Sequence, residues 1–231
     1  MRLVNFEGRL GFDVVGRFVD LEQASQGRVS SDPMASFAAW AEIRRLASEQ
    51  TAGDAGRLIV PERLGPPVPR PSQVFAIGLN YRDHAEEAGL PIPAQPMVFT
   101  KFPSCLAGPN TTVPLTSDRV DWEVEQVVVI GRETHRVRAG DAWDFVAGFC
   151  VGQDVSDRAL QFADKPPQFS LGKSAPCFGP LGPALVSLDE IADRDDMKLR
   201  CSIDGESVQD SSTRNLIFSV PDLIAHLSRY C

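Results

Sequence analysis

Apolar positions along this chain alternate with polar ones more often than they recur at helical spacing, so most of it reads as short strands. In residues 1–20 the runs MRLVNF, RLGFDVV and GRFVDL are separated at Gly8 and Gly16, which supply turn conformations that other residues resist, and a small antiparallel sheet is expected. Residues 33–48 switch to helical spacing, with Met34, Phe37, Trp40 or Ala41, and Ile43 or Arg44 in phase, Asp32 as N-cap and Pro33 in the first turn. Pro61, Pro66, Pro67, Pro69 and Pro71 then follow at a density that excludes regular structure and predicts an extended connector.

Beyond the connector, QVFAIGL, MVFTKF, WEVEQVVVIG, FVAGFCVGQDV, ALVSL, LRCSID and ESVQD read as strands, with IDGE as a hairpin turn. Helices are expected only over 81–88, 157–162 and 221–228. The first of these has Asn80 as N-cap with Asp83 at the reciprocal position, and Gly89 ends it. The fold class is therefore α+β, mainly β. A small N-terminal α+β domain is expected over 1–60, a Pro-rich linker over 61–72 and a larger domain over 73–231. There are too few crossover helices for a doubly wound parallel sheet.

Composition narrows the class. The chain has 231 residues, 43% of them hydrophobic, and a net charge of −8 from 23 Lys+Arg and 31 Asp+Glu. A core of ordinary size is within reach and disorder is excluded. No apolar run approaches the roughly 20 residues needed to cross a bilayer. The amino terminus shows neither an apolar segment nor a small-residue cleavage site, so a cytoplasmic protein with no membrane partner is expected. An acidic balance without a Lys/Arg run argues against nucleic acid, and Arg132, Arg136 and Arg138 read as a solvated face. Five widely spaced cysteines without a CxxC pair indicate neither a disulfide framework nor a zinc cluster.

The segment DWEVEQVVVIG at 121–131 carries the strongest chemical signal. Strand alternation puts Asp121, Glu123 and Glu125 on one face, the two glutamates about 7 Å apart, and Val127 to Ile130 suggest burial on both faces downstream. Like charges on a partly buried face repel and must be neutralised. Either Glu123 and Glu125 lie on a solvated edge paired with Arg or Lys, or a divalent cation joins them. Asp154, which ends the apolar strand FVAGFCVGQD, adds a third acid and favours the cation. Three carboxylates without a neighbouring Cys or His select a hard ion, magnesium, manganese or calcium.

His84 and Glu87 are three residues apart on one helix face, so a carboxylate can hold an imidazole ready to take a proton from water; a plain helix-surface contact is the competing reading. SLGKSAP at 170–176 ends like a phosphate-binding loop, but Pro167 stands where its first Gly is required, so a nucleotide loop is rejected. Lys173 is left as a cation suited to a substrate carboxylate or enolate, or as a surface lysine. No GxSxG elbow or Cys–His pair supports a covalent mechanism.

Six segments together, IGLNYRDHAEEAG, PMVFTKFPSCLAGPN, VDWEVEQVVVIGR, VAGFCVGQDVSDRALQ, FSLGKSAPCFGPLGPALVS and IDGESVQDSSTRNLIFSVPDLIAHLS, resemble the fumarylacetoacetate hydrolase family in order and spacing over residues 70–231. The resemblance implies a β-roll or sandwich catalytic domain of the family's own type, a homodimer, and Mg2+ or Mn2+ (or Ca2+) held by Glu123, Glu125 and Asp154. It matches His84 and Glu87 to the pair that activates or orients water, and Gln161 and Lys173 to contacts with the keto-acid end of the substrate. Arg158 matches a basic residue near the site.

The chemistry implied is cleavage of a C–C bond in a small acylpyruvate or diketo acid, with Lys173 neutralising the enolate. Isomerisation or decarboxylation of a dicarboxylic keto acid in aromatic catabolism, as by a 2-hydroxyhepta-2,4-diene-1,7-dioate isomerase, and a catalytically silent metal-binding fragment are the alternatives. The sequence departs from the family pattern at Gln126 and in DVSDRALQ, and it ends at Cys231, where family members continue into a further strand and a Gly-Thr-Pro turn.

Overall fold

The computed structural model describes residues 1–50 and 56–231. The amino-terminal alternation produces β1 (Arg2–Phe6), β2 (Arg9–Val14) and β3 (Arg17–Asp20), paired as an antiparallel meander. Its turns pass through Glu7–Gly8 and Val15–Gly16, all at positive φ, the backbone twist that joins two antiparallel strands most tightly. Asp20 ends β3 and caps the one-turn helix α1 (Leu21–Ala24) by accepting from the Gln23 N–H.

The helix expected over 33–48 is split. Asp32 accepts from the Met34 and Ala35 N–H groups at 2.9 Å, as its N-cap role predicts. Ser36, however, ties its hydroxyl to the Ser30 and Asp32 carbonyls, and the chain makes a 3-10 turn over Ala35–Ala39 before the α-helix α2 (Trp40–Ala47) begins.

The remaining strands are β4 (Arg57–Leu58), β5 (Leu64–Gly65), β6 (Phe75–Gly78), β7 (Met97–Thr100), β8 (Leu106–Ala107), β9 (Val120–Asp121), β10 (Val124–Ile130), β11 (Val146–Gln153), β12 (Ser156–Asp157), β13 (Gly179–Val186), β14 (Lys198–Ile203) and β15 (Glu206–Ser212). Between them lie the helices α3 (Arg82–Glu87), α4 (Arg158–Gln161), α5 (Phe169–Gly172) and α6 (Val220–Leu227).

One nine-stranded sheet in the order β10-β11-β13-β1-β2-β3-β4, with β5 on β1 and β8 on β13, organises the molecule. The Pro-rich stretch expected to separate two domains makes a 3-10 turn over Pro61–Arg63 and then returns as β5 against Asn5 and Phe6. The same sheet runs across the expected boundary, because β1 pairs with β13 through Arg2↔Val186 and Leu3↔Leu185.

Alternation along β1 sends Leu3 into a cluster with Leu10, Leu21, Ile43, Leu46, Cys150 and Leu185, and sends Val4 and Phe6 to the opposite face with Phe18 and Ala184. On β10, Val127 and Val129 join the Leu3 cluster, while Val128 packs on the other face with Val146, Val220 and Ile224 of a third cluster. Apolar packing on both faces therefore holds for Val127 to Val129, with Val129 buried and Val127 and Val128 half-buried, but stops at Ile130, which is 44% exposed where β10 forms the edge of the sheet.

Helix α3 starts differently from the expectation. Asn80 does not cap it: the buried Asn80 amide instead takes both main-chain groups of Phe218, donating to its carbonyl (3.1 Å) and accepting from its N–H (2.8 Å). Asp83 is drawn to Ser211 and Asn215 rather than to a capping box. The far end is as expected: Gly89 takes φ 63°, its N–H meets the Glu86 carbonyl and the Leu90 N–H meets that of Ala85, which satisfies two carbonyls that the helix leaves free. At α6, Ser219 and Asp222 form a reciprocal capping box with Pro221 in the first turn.

Candidate functional site

Pairing between β10 and β11 delivers the three carboxylates to one place. Val124 lies opposite Gln153 and Glu125 opposite Gly152; one step further, the Asp154 N–H donates to the Glu123 carbonyl at 2.8 Å. Glu123, just before β10, and Asp154, just after β11, thus face each other across the ladder and share the sheet face of Glu125.

Cations close the cluster. Lys173, 3% exposed, donates from Nζ to Glu123 Oε2 (2.5 Å) and to Asp154 Oδ2 (2.8 Å), and stands 5.3 Å from the Phe99 ring centroid. Arg158 donates to Asp121 Oδ2 (2.7 Å), Glu123 Oε1 (2.6 Å) and Gln161 Oε1 (2.9 Å), so it orients the buried Gln161 as well. Asp157 starts α4 beneath Arg158 by accepting from the Leu160 N–H, and is itself held by Thr116 and Ser117. Gly172 lets α5 approach α4: a Cβ there would stand 3.0 Å from the Gln161 backbone, so the residue preceding Lys173 has to be small.

Of the two readings left open for Glu123, ion pairing with Arg and Lys is realised in this structure, with Glu123 and Arg158 half-buried and Lys173 buried. Glu125 is different. Among the described residues no side chain hydrogen-bonds to it, and burial, followed by the charges of Glu123 and Asp154, pushes its carboxyl up to about 8.

A cavity of about 730 Å3 opens on Glu125, Asp154, Lys101 and Tyr81 and continues along the free edge of β10 between apolar side chains that include Phe75, Ile77, Val129 and Leu223. Tyr81 lies close enough to Glu125 for burial and the negative charges of Glu125 and Asp83 to raise its phenol well above the usual range.

His84 and Glu87 are not brought to this cavity. They share one face of α3 as their spacing requires, with Nδ1 and Oε2 3.9 Å apart, but their side chains are 59% and 84% exposed. Two residues at the site were missed by sequence reasoning. Tyr81 directly precedes α3, and Lys101 ends the strand segment MVFTK, where alternation with Phe99 turns it inward.

The donor set suits a hard divalent ion in kind, being all carboxylate oxygen, and the desolvated, unpartnered Glu125 is the group such an ion would neutralise. Among the described residues, no three His, Cys, Asp or Glu side chains converge tightly enough to ligate one ion as they stand. To serve as ligands, Glu123 and Asp154 would exchange bonds to Lys173 for bonds to the metal. No helix among the described residues is long and apolar enough to cross a membrane.

The family profile for the fumarylacetoacetate (FAA) hydrolase C-terminal region matches residues 73–231. Human mitochondrial oxaloacetate tautomerase FAHD2A is 44% identical over 166 residues, 71% of this chain and 53% of the relative, so the chain spans about half the length of the curated relatives it matches. Among solved structures, a candidate HpcE protein from Mycobacterium smegmatis is 46% identical with a TM-score of 0.89, covering 100% of this chain and 82% of that one. The 2-hydroxyhepta-2,4-diene-1,7-dioate isomerase from Mycobacterium marinum is 31% identical with a TM-score of 0.64, covering 73% and 62%. The carboxylates at the β10 and β11 ends, Arg158, Gln161 and Lys173 all fall within the matched region, and the chain belongs to the fumarylacetoacetate hydrolase family.

Proposed function

We propose that this chain interconverts the keto and enol tautomers, or the double-bond isomers, of a small 2-oxo carboxylic acid, using Mg2+ or Mn2+ (or Ca2+) held by Glu123, Glu125 and Asp154. The observation that carries this reading is Lys101, which lines the polar end of the cavity together with Glu125 and Asp154, with Lys173 and Arg158 bonded to the same group of carboxylates behind it. When bound, the ion supplies Lewis acidity toward a carbonyl or enol oxygen. Arg158 is held by Asp121 as well as Glu123 and keeps its place if Glu123 turns to an ion, while Lys173 would then be free to meet negative charge developing on an enolate. Gln161, oriented by Arg158, offers an amide to the carboxylate end. The Tyr81 phenol, kept protonated, faces the same cavity and holds a proton at its oxygen.

Tautomerisation and isomerisation are favoured over C–C hydrolysis because the water-activating pair that hydrolysis needs, His84 and Glu87, stands in solvent away from the cavity. The human tautomerase and the M. marinum isomerase named above agree in reaction type. A homodimer is the proposed assembly, supported by the exposed apolar side chains of Met97, Phe102, Phe162 and Leu171.

The deciding experiment follows the ultraviolet enol band of a 2-oxo dicarboxylate and of an acylpyruvate with Mg2+ or Mn2+, alongside a pyruvate assay. The expected result is band relaxation without pyruvate release, unchanged within about twofold in H84A. Pyruvate released in step with the band and lost in H84A would replace this reading by the C–C hydrolase. No catalysis of either change would leave a silent metal-binding chain.

A further inference from the structure

We propose that Lys101 is a positioning residue whose ammonium fixes Asp154 and Lys173 relative to each other. It lies one residue beyond β7, and its N–H donates to the Val74 carbonyl at 3.0 Å, so the backbone stays extended and the side chain follows Phe99 to the inner face. Only 6% of it is exposed. Its Nζ donates to Asp154 Oδ1 at 2.7 Å and to the main-chain carbonyl of Lys173. Lys173 Nζ in turn takes Asp154 Oδ2 at 2.8 Å. The three residues close a ring of charged contacts that joins the ends of β7, β11 and α5.

Each Asp154 oxygen therefore has a different lysine, and one of those lysines has its own backbone held by the other. This arrangement sets the rotation of the Asp154 carboxylate, and it anchors the chain from which Lys173 projects. Beyond Lys101, two neighbouring bonds among the described residues stitch the end of β7 to the α5 segment, from the Phe102 N–H to Ser174 Oγ at 3.0 Å and between the Thr100 and Ser170 hydroxyls at 3.3 Å, and neither touches Asp154. Burying a lysine costs side-chain entropy and desolvation that an apolar residue of the same length avoids. What the lysine adds is direction, since its ammonium offers three donors and can satisfy a carboxylate and a carbonyl at once.

The role toward metal and substrate rests on the proposed function, but the positioning itself can be read in the metal-free chain. In the full chain without metal, K101M is expected to speed amide hydrogen exchange by at least about tenfold in peptides covering 150–156 and 169–175, the loss of the two ammonium hydrogen bonds to Asp154 and Lys173, with residues 2–20 unchanged. Calorimetric titration of Mn2+ is expected to show binding weakened about tenfold in K101M and largely kept in K101R. Unchanged exchange in both segments overturns the proposal. So does tighter Mn2+ binding by K101M, the outcome if the lysine were only a competing positive charge. If the parent binds no Mn2+, the metal reading fails and the exchange comparison alone decides for or against Lys101. Should K101M fail to fold, K101Q carries the same exchange measurement.

Discussion

Replacing Glu125 with Gln should make the metal-free protein more stable at neutral pH and less stable in its metal complex. In the absence of an ion the carboxyl is moved from an ordinary 4.5 to about 8, with burial as the main cause and Glu123 and Asp154 adding to it. A raised carboxyl keeps its proton in the folded chain after the unfolded chain has released it. Its contribution is thus fully present below pH 4.5 and is lost as pH rises toward 8. Each pH unit inside that window is worth about 1.4 kcal/mol, so ionisation at pH 7 removes about 3 kcal/mol relative to acid solution.

Gln fills nearly the same volume and cannot ionise. Urea unfolding of parent and E125Q with a chelator at pH 5, 6, 7 and 8 should therefore give a stability difference that grows in favour of E125Q by about 1.4 kcal/mol per pH unit. Other carboxylates contribute equally to both proteins and cancel. Added Mn2+ should reverse the order at pH 7, because only the parent gains an ionised ligand. Parallel pH profiles would refute the reasoning, since they would mean that Glu125 is solvated or already paired.

Two further outcomes follow from the same geometry. K173M leaves Glu123 Oε2 and Asp154 Oδ2 without a shared cation, while Arg158 and Lys101 still hold the other oxygens, so a loss of about 2–3 kcal/mol is expected, seen as a melting temperature lower by about 4–12 °C; a change of less than about 0.5 kcal/mol would mean that the buried pair contributes nothing. N80A removes both bonds to Phe218 and should cost about 2 kcal/mol, with faster exchange at the start of α6; unchanged exchange there would show that the α6 capping box alone holds that helix.

The strands were legible because alternation is a local signal, and Glu123, Glu125 and Asp154 were legible because that alternation also sets which faces meet across a ladder. Elements of four residues, such as α1 and α5, are too short to leave a periodic trace. Strand β13 begins at Gly179, earlier than ALVSL suggested, because Pro180 and Pro183 disguise its first half; the structure tolerates Pro183 where the pairing with β11 shifts register, and Pro180 past the last β11 partner, beside β8. Helical spacing correctly made His84 and Glu87 neighbours but carries no information on which way their face points. Asn80 looked like a cap because capping is the local use of an asparagine, whereas its actual partner, Phe218, is 138 residues away. Lys101 was hidden inside a run that reads as an ordinary strand end.

The pairing of β1 with β13 has a consequence for how the protein is made. Strand β1 is synthesised well before its partner β13 and has to wait for it, since the Ser187 N–H that meets the Met1 carbonyl lies 186 residues further on. Until then the β1–β3 meander and its β5 partner can form but Arg2 and Leu3 stay unpaired on one side, and β10 and β11, which position Glu125 and Asp154, have no link through β13 to the rest of the sheet. Such a long closure slows folding and leaves an open strand edge throughout synthesis. The candidate site is therefore completed only after β13 has been made, and its assembly depends on β1 having remained free to receive that strand.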